Sequence, residues 1–196
     1  MTTITTADIK ALRDETGLSI MQCRKALEDA GGDNEKARII LQKKGGEIAA
    51  KKGDRTLGSG AVATYLHASG AIGTMVELSC ETDFVAKNPE FQAIARDIAM
   101  QVAATNPSYL KREDISEADR MKVAETFKSE VEGKPEEMKE KILSGKVDSY
   151  FADKVLLEQP FIKDPEKKII DLVNGAVQKF GERTEIRRFA RFSVSE

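Results

Sequence analysis

Around residues 43–55 (KKGGEIAAKKGDR) the apolar residues of this chain change rhythm, and that change limits the fold more than any single motif. Before it the spacing is helical. Thr5 stands three residues ahead of Asp8 as a capping pair, Ile9 and Leu12 point inward, and Thr16-Gly17 stops the first helix. Ser19 with Gln22 opens a second helix, which carries Ile20, Cys23, Leu27 and Ala30 along one side and ends at Gly31-Gly32. Asp33 caps a third, with Ala37, Ile40 and Leu41 on its core face and a stop at Gly45-Gly46. After the basic stretch the period becomes two. Val62, Thr64 and Leu66 alternate with Ala61, Ala63 and Tyr65, and Ala68-Ser69-Gly70 turns the chain. Ile72, Thr74, Val76, Leu78 and Cys80 then share one side of a second strand, opposite Gly73, Met75, Glu77 and Ser79.

Helices return at Asn88-Pro89, a cap followed by a fixed first position, with a stripe of Phe91, Ile94, Ala95, Ile98, Ala99 and Val102 to lay on the sheet. Ser116 with Asp119 starts another helix through Phe127 and Val131. Gly133-Lys134-Pro135 breaks it, and Met138, Ile142 and Leu143 resume the pattern until Gly145. A last helix buries Ile169, Leu172, Val173, Ala176, Val177 and Phe180 and closes at Gly181, and residues 185–194 alternate as a final strand with Phe192 inward. Strand, strand, several helices, strand is an α+β order. The expectation is a small N-terminal three-helix bundle with a basic linker over residues 1–54, and a core over residues 55–196 in which helices cover a three-stranded antiparallel sheet. So small a bundle has little core of its own, so it leans on the rest of the chain or on a partner.

Charged residues make up 33% of the 196, yet the net charge is only −2, which argues against a surface built as a field for nucleic acid. No apolar run reaches the ~18 residues needed to cross a bilayer, and Met1-Thr2-Thr3-Ile4 lacks the regions of a signal peptide, so a cytoplasmic location is expected. His67 is the sole histidine, which rules out a conventional triad or a multi-histidine metal site; it is placed at a strand end. The glycines form no phosphate-binding loop, and neither Cys23 nor Cys80 has metal-ligand spacing. Both read as free buried thiols, Cys80 with a raised pKa that leaves it unreactive. No catalytic residue, metal or cofactor is expected.

Residues 80–88 (CETDFVAKN) leave a strand and enter a helix while carrying Asp83 and Phe84 together. Two readings are open. Thr82 or Asp83 caps a short turn with Phe84 folded into the core, or the ring is exposed for a partner, since an aromatic in water is costly unless something receives it. Residues 12–17 (LRDETG), 21–27 (MQCRKAL), 49–52 (AAKK), 77–87 (ELSCETDFVAK), 157–163 (LEQPFIK) and 187–192 (RRFARF) come in an order that resembles the elongation factor Ts family over nearly the whole chain.

That resemblance implies a bundle similar to ubiquitin-associated domains, docked on the nucleotide domain of the GTPase elongation factor Tu, and a core that presents its acidic-aromatic pair to the same domain. It favours the exposed reading: Asp83 and Phe84 intrude on the partner, flanked by Thr82 and Val85, with Leu12, Thr16, Gly17 and Met21 in the bundle's contact region. A chain of this length resembles the short form, with one core subdomain, which implies a homodimer; Arg187, Arg188, Phe189 and Arg191 then serve that interface or simply solvate an edge strand. One departure is that Arg55 leads to Ser59-Gly60 where the family commonly has Glu-Gly. Two rivals remain: an RNA- or ribosome-binding adaptor using the basic linker and terminal arginines, and an enzyme using Cys80 or His67.

Overall fold

The structure, a computed structural model, describes residues 4–131 and 135–194. Its elements run α1 (Thr6–Thr16), α2 (Ile20–Asp29), α3 (Asn34–Lys51), β1 (Ser59–Leu66), β2 (Ile72–Cys80), α4 (Asp83–Ala86), α5 (Pro89–Thr105), α6 (Glu117–Phe127), α7 (Glu136–Ala152), β3 (Pro160–Phe161), β4 (Asp164–Lys168), α8 (Ile169–Phe180) and β5 (Thr184–Ser193). The main sheet is antiparallel in the order β1-β2-β5, and β3-β4 is a separate small ribbon that the sequence pattern did not suggest.

Local capping chemistry places most helix starts where the residue pattern puts them. Thr5 and Asp8, and Ser19 and Gln22, form reciprocal capping boxes. Asp33, Asn88 and Ser116 each accept a backbone N–H of the helix they precede. Alternation in β1 sends Ala61, Ala63 and Tyr65 toward the core and leaves Val62, Thr64 and Leu66 outside. In β2 Val76, Leu78 and Cys80 are fully buried, beneath Phe91, Ala95, Ile98, Ala99 and Val102 of α5 and Ile169 and Val173 of α8. Thr74 is buried on the same face and donates its hydroxyl to the Ala99 carbonyl at 2.8 Å, which pins α5 to the sheet. A second core, made of Leu12, Leu18, Cys23, Ala26, Leu27, Ala37 and Leu41, holds the first three helices together.

Four expectations need correction. The third helix does not stop at Gly45-Gly46 but runs to Lys51. A glycine inside a helix costs roughly 1 kcal/mol, and here the missing side chain lets α3 lie close against α8. A Cβ on Gly45 would sit 3.4 Å from the Asn174 carbonyl oxygen. Gly145 likewise lies inside α7 rather than ending it, while the Gly133-Lys134 break falls outside the described residues. Ile20, expected inward, is 56% exposed. Phe192, also expected inward, is 76% exposed, because Glu77 faces Arg188 while Leu78 faces Ile186. Arg187 is thus the extra residue of a β-bulge that shifts the inward phase from Thr184 and Ile186 to Phe189 and Arg191.

Candidate partner-binding site

The corner between β2 and α5 is built from the inside outward. Cys80 closes β2 with its thiol buried, and donates it to the Thr82 carbonyl at 3.2 Å. Burial pushes that thiol's pKa up, with the Glu182 carboxylate adding to the effect. Thr82 then caps the single turn α4, its hydroxyl accepting the Val85 N–H at 3.5 Å. Val85 and Ala86 drop into the sheet core at 4% and 6% exposure. At about 100° per residue a one-turn helix that seats positions 85 and 86 must turn 83 and 84 away. Phe84 is accordingly 82% exposed, so the ring is not folded back into its own core. Asp83 beside it is open to solvent and accepts the Lys87 ammonium at 2.6 Å. That hydrogen bond, with the charge behind it, holds the Asp83 carboxyl below its ordinary range, and it is present as the anion. Asn88 and Pro89 start α5 directly afterwards, so the turn is anchored at both ends.

On the bundle, Gly17 ends α1 with φ 67°, a left-handed conformation suited to glycine, and is exposed beside half-buried Thr16, whose hydroxyl donates to the Leu12 carbonyl at 2.7 Å. Met21 follows at 73% exposure with Ile20 next to it. Two of the expected contact residues are elsewhere. Leu12 is 2% exposed inside the helical core and Val85 lies inside the sheet core, so both support the surface without being part of it. The resemblance places both in the contact region, the helical period already turns Leu12 inward, and in the free chain both are buried. Ile20 is the exposed residue that the periodic reading assigned to the interior.

The bundle turn and the α4 corner share a neighbour. Lys179 of α8 lies against Gly17, where an added Cβ would come within 2.6 Å of its ammonium. The same ammonium pairs with Glu90 in the first turn of α5 at 3.0 Å. Beneath them Phe91 and Phe180 meet edge to face, 5.9 Å between centroids.

Among the described residues there is no group of three or more His, Cys, Asp or Glu side chains placed to hold a metal ion, and no helix long and apolar enough to cross a membrane. His67 sits in the β1-β2 turn with Nδ1 2.9 Å from the Ser69 hydroxyl. Asp83 and Phe84 stand on an exposed turn, whereas Thr16 lines a pocket between α1, α3 and α8. The class this defines is an α+β protein that exposes an aromatic and a carboxylate side by side on a short helical turn.

The profile of the family described as "Elongation factor TS" matches residues 25–196. The chain is 50% identical to the elongation factor Ts of Thermodesulfovibrio yellowstonii, covering 98% of this chain and 97% of that one. It is 45% identical to the protein of that name from Moorella thermoacetica, covering 98% and 96%, and 43% identical to that of Desulforamulus reducens, covering 100% and 91%. The chain belongs to the elongation factor Ts family, and it is a translation elongation factor.

Proposed function

We infer that this protein promotes GDP release from elongation factor Tu in the cytoplasm by docking Asp83 and Phe84 on the GTPase's nucleotide domain and disturbing the magnesium and phosphate contacts there. The observation that carries this reading is Phe84, a phenylalanine held 82% in water on a turn whose other apolar residues are buried. A GTPase retains its nucleotide through backbone donors and a magnesium ion, so release speeds up only if those contacts weaken while nucleotide is bound. By linkage, a thousandfold loss of nucleotide affinity requires about 4 kcal/mol of differential binding. One buried aromatic anchor supplies roughly 2 kcal/mol or more of that. The factor performs no covalent chemistry. Its bundle, with Thr16, Gly17 and Met21 exposed or partly so, is the second docking surface, and residues 1–54 and 55–196 are its two modules.

A homodimer belongs to the same reading. The outer face of the sheet aligns Leu66, Gly73 and Phe192 in one row and Thr64, Met75 and Ala190 in the next. Val62, Leu66, Met75, Phe192 and Val194 there are 50% to 82% exposed, an apolar surface that a second copy would cover. The RNA-adaptor alternative loses ground on the basic side chains it needs. Lys52 donates to the Gly181 carbonyl, Arg55 pairs with Glu81, and Arg188 with Glu77.

Stopped-flow release of fluorescent GDP tests the site. Phe84→Ala and Asp83→Ala should each slow factor-promoted release, and unchanged release by both folded variants refutes it. Deleting residues 1–54 should weaken affinity for the GTPase if the bundle docks.

A further inference from the structure

The segment that presents Phe84 is held by a loop a hundred residues away. Directly after α8 closes on Gly181, the half-buried Glu182 turns its carboxylate onto the α4 corner. One oxygen accepts the Glu81 N–H at 3.1 Å and the Thr82 N–H at 3.0 Å, and the other accepts the Thr82 hydroxyl at 2.6 Å. The last contact has a directional consequence. Because the Thr82 proton goes to Glu182, the hydroxyl's lone pair is left facing the Val85 N–H, which is the cap of α4. In return Glu81 accepts the Arg183 N–H at 2.6 Å. The two strand ends therefore exchange carboxylate-to-backbone bonds across the edge of the sheet.

The linker joins the same knot. Arg55 reaches Glu81 at 3.2 Å, Arg183 donates to the Arg55 carbonyl at 2.6 Å, and Lys52 at the end of α3 donates to the Gly181 carbonyl at 2.7 Å. A single helical turn has no cooperative stability of its own, so its geometry depends on what fixes its ends. Val85 and Ala86 anchor the inner side, and Glu182 fixes the N-terminal end.

We propose that Glu182 is a positioning residue for nucleotide exchange. It holds the Thr82 cap in the polarity that keeps Asp83 and Phe84 presented, so that the partner meets an already ordered turn. This rests on the reading of Phe84 as the docking side chain. Loss of Glu182 leaves Phe84 chemically intact but lowers the fraction of molecules with the turn formed, and the apparent affinity falls by that fraction while the docked complex is unchanged. Glu182→Gln keeps an acceptor for the two backbone donors, yet sets an amide N–H against the Thr82 hydroxyl, so it should fall between the wild type and Glu182→Ala.

GDP release is measured against factor concentration for wild type, Glu182→Ala, Glu182→Gln, Phe84→Ala and the Glu182→Ala/Phe84→Ala pair. Amide hydrogen exchange at residues 81–86 is followed in the free proteins. The expected result is a half-saturating concentration raised about tenfold in Glu182→Ala with the maximal rate retained, a smaller loss from the same change in the Phe84→Ala background, where only Asp83 is left to present, and faster exchange of the Val85 amide. An unchanged half-saturation, or the same loss in the Phe84→Ala background, overturns the proposal. Should Glu182→Ala not fold, Glu182→Gln carries the same comparison. If Phe84→Ala alone leaves GDP release unchanged, the docking reading fails by itself. Glu182 is then judged on the free protein, where an unaltered Val85 exchange rate overturns its role in holding the turn.

Discussion

Truncating Phe84 and Phe91 to alanine removes the same atoms from two places seven residues apart, and should have nearly opposite consequences. Phe91 is fully buried under the sheet and meets Phe180 edge to face at 5.9 Å and 72°. Losing it deletes a whole buried ring and leaves a cavity, a cost of about 3 to 5 kcal/mol, to which the lost aromatic pair contributes. Phe84 is 82% exposed, so its truncation strips almost nothing from the interior and should change stability by less than about 0.5 kcal/mol. In a chain of this size each kcal/mol moves the melting temperature by about 2 to 4 °C. Phe91→Ala should then melt roughly 6 to 20 °C below the wild type, and Phe84→Ala within about 2 °C of it. Calorimetry and urea unfolding read both, and GDP release should rank them in reverse, with Phe84→Ala impaired while fully folded. A Phe84→Ala protein destabilised by more than about 2 kcal/mol would mean that the ring has intramolecular support, and the argument from its exposure would fail.

Three other outcomes follow from the geometry. Gly60→Ala should lose about 1 to 3 kcal/mol in urea unfolding, because the new Cβ would stand 2.6 Å from the Leu78 carbonyl oxygen on the paired strand and neither backbone can yield. Gly145→Ala, inside α7 with open space around the added carbon, should stabilise by up to ~1 kcal/mol in the same assay. The Arg183 N–H, with Arg55 beside it, depresses the Glu81 pKa below its ordinary 4.5. Its contribution is therefore fully present above that value and disappears as pH falls through the lower folded-state pKa. Urea midpoints should drop on acidification below pH 4.5, and drop less in Glu81→Gln; equal drops would contradict the assignment.

Where structure is set by neighbours in sequence, the residues could be read directly. The caps at Thr5, Ser19, Asp33, Asn88 and Ser116 and the closing Gly181 each depend on a few adjacent positions, and each is found where the pattern puts it. The misreadings come from distant contacts. Gly45 reads as a stop until α8 lies against it, and Phe192 reads as inward until the bulge at Arg187 changes the phase of β5. The same divide runs through the candidate site. A lone apolar residue in a one-turn helix has no period to show whether it faces core or water, and resemblance, not pattern, pointed Phe84 outward. Glu182 was invisible because nothing in its own neighbourhood signals that it caps a turn a hundred residues earlier; a carboxylate directly after a helix-closing glycine was the sole local trace.

Phe84 must leave water when the partner arrives. The most direct measurement places a fluorinated phenylalanine at position 84 and follows its solvent-isotope shift by fluorine NMR, alone and with nucleotide-free elongation factor Tu. A ring that is solvent-accessible in the free protein and loses that accessibility in the complex is the predicted result. A ring equally wet in both states would contradict the claim that it is the side chain through which this factor acts.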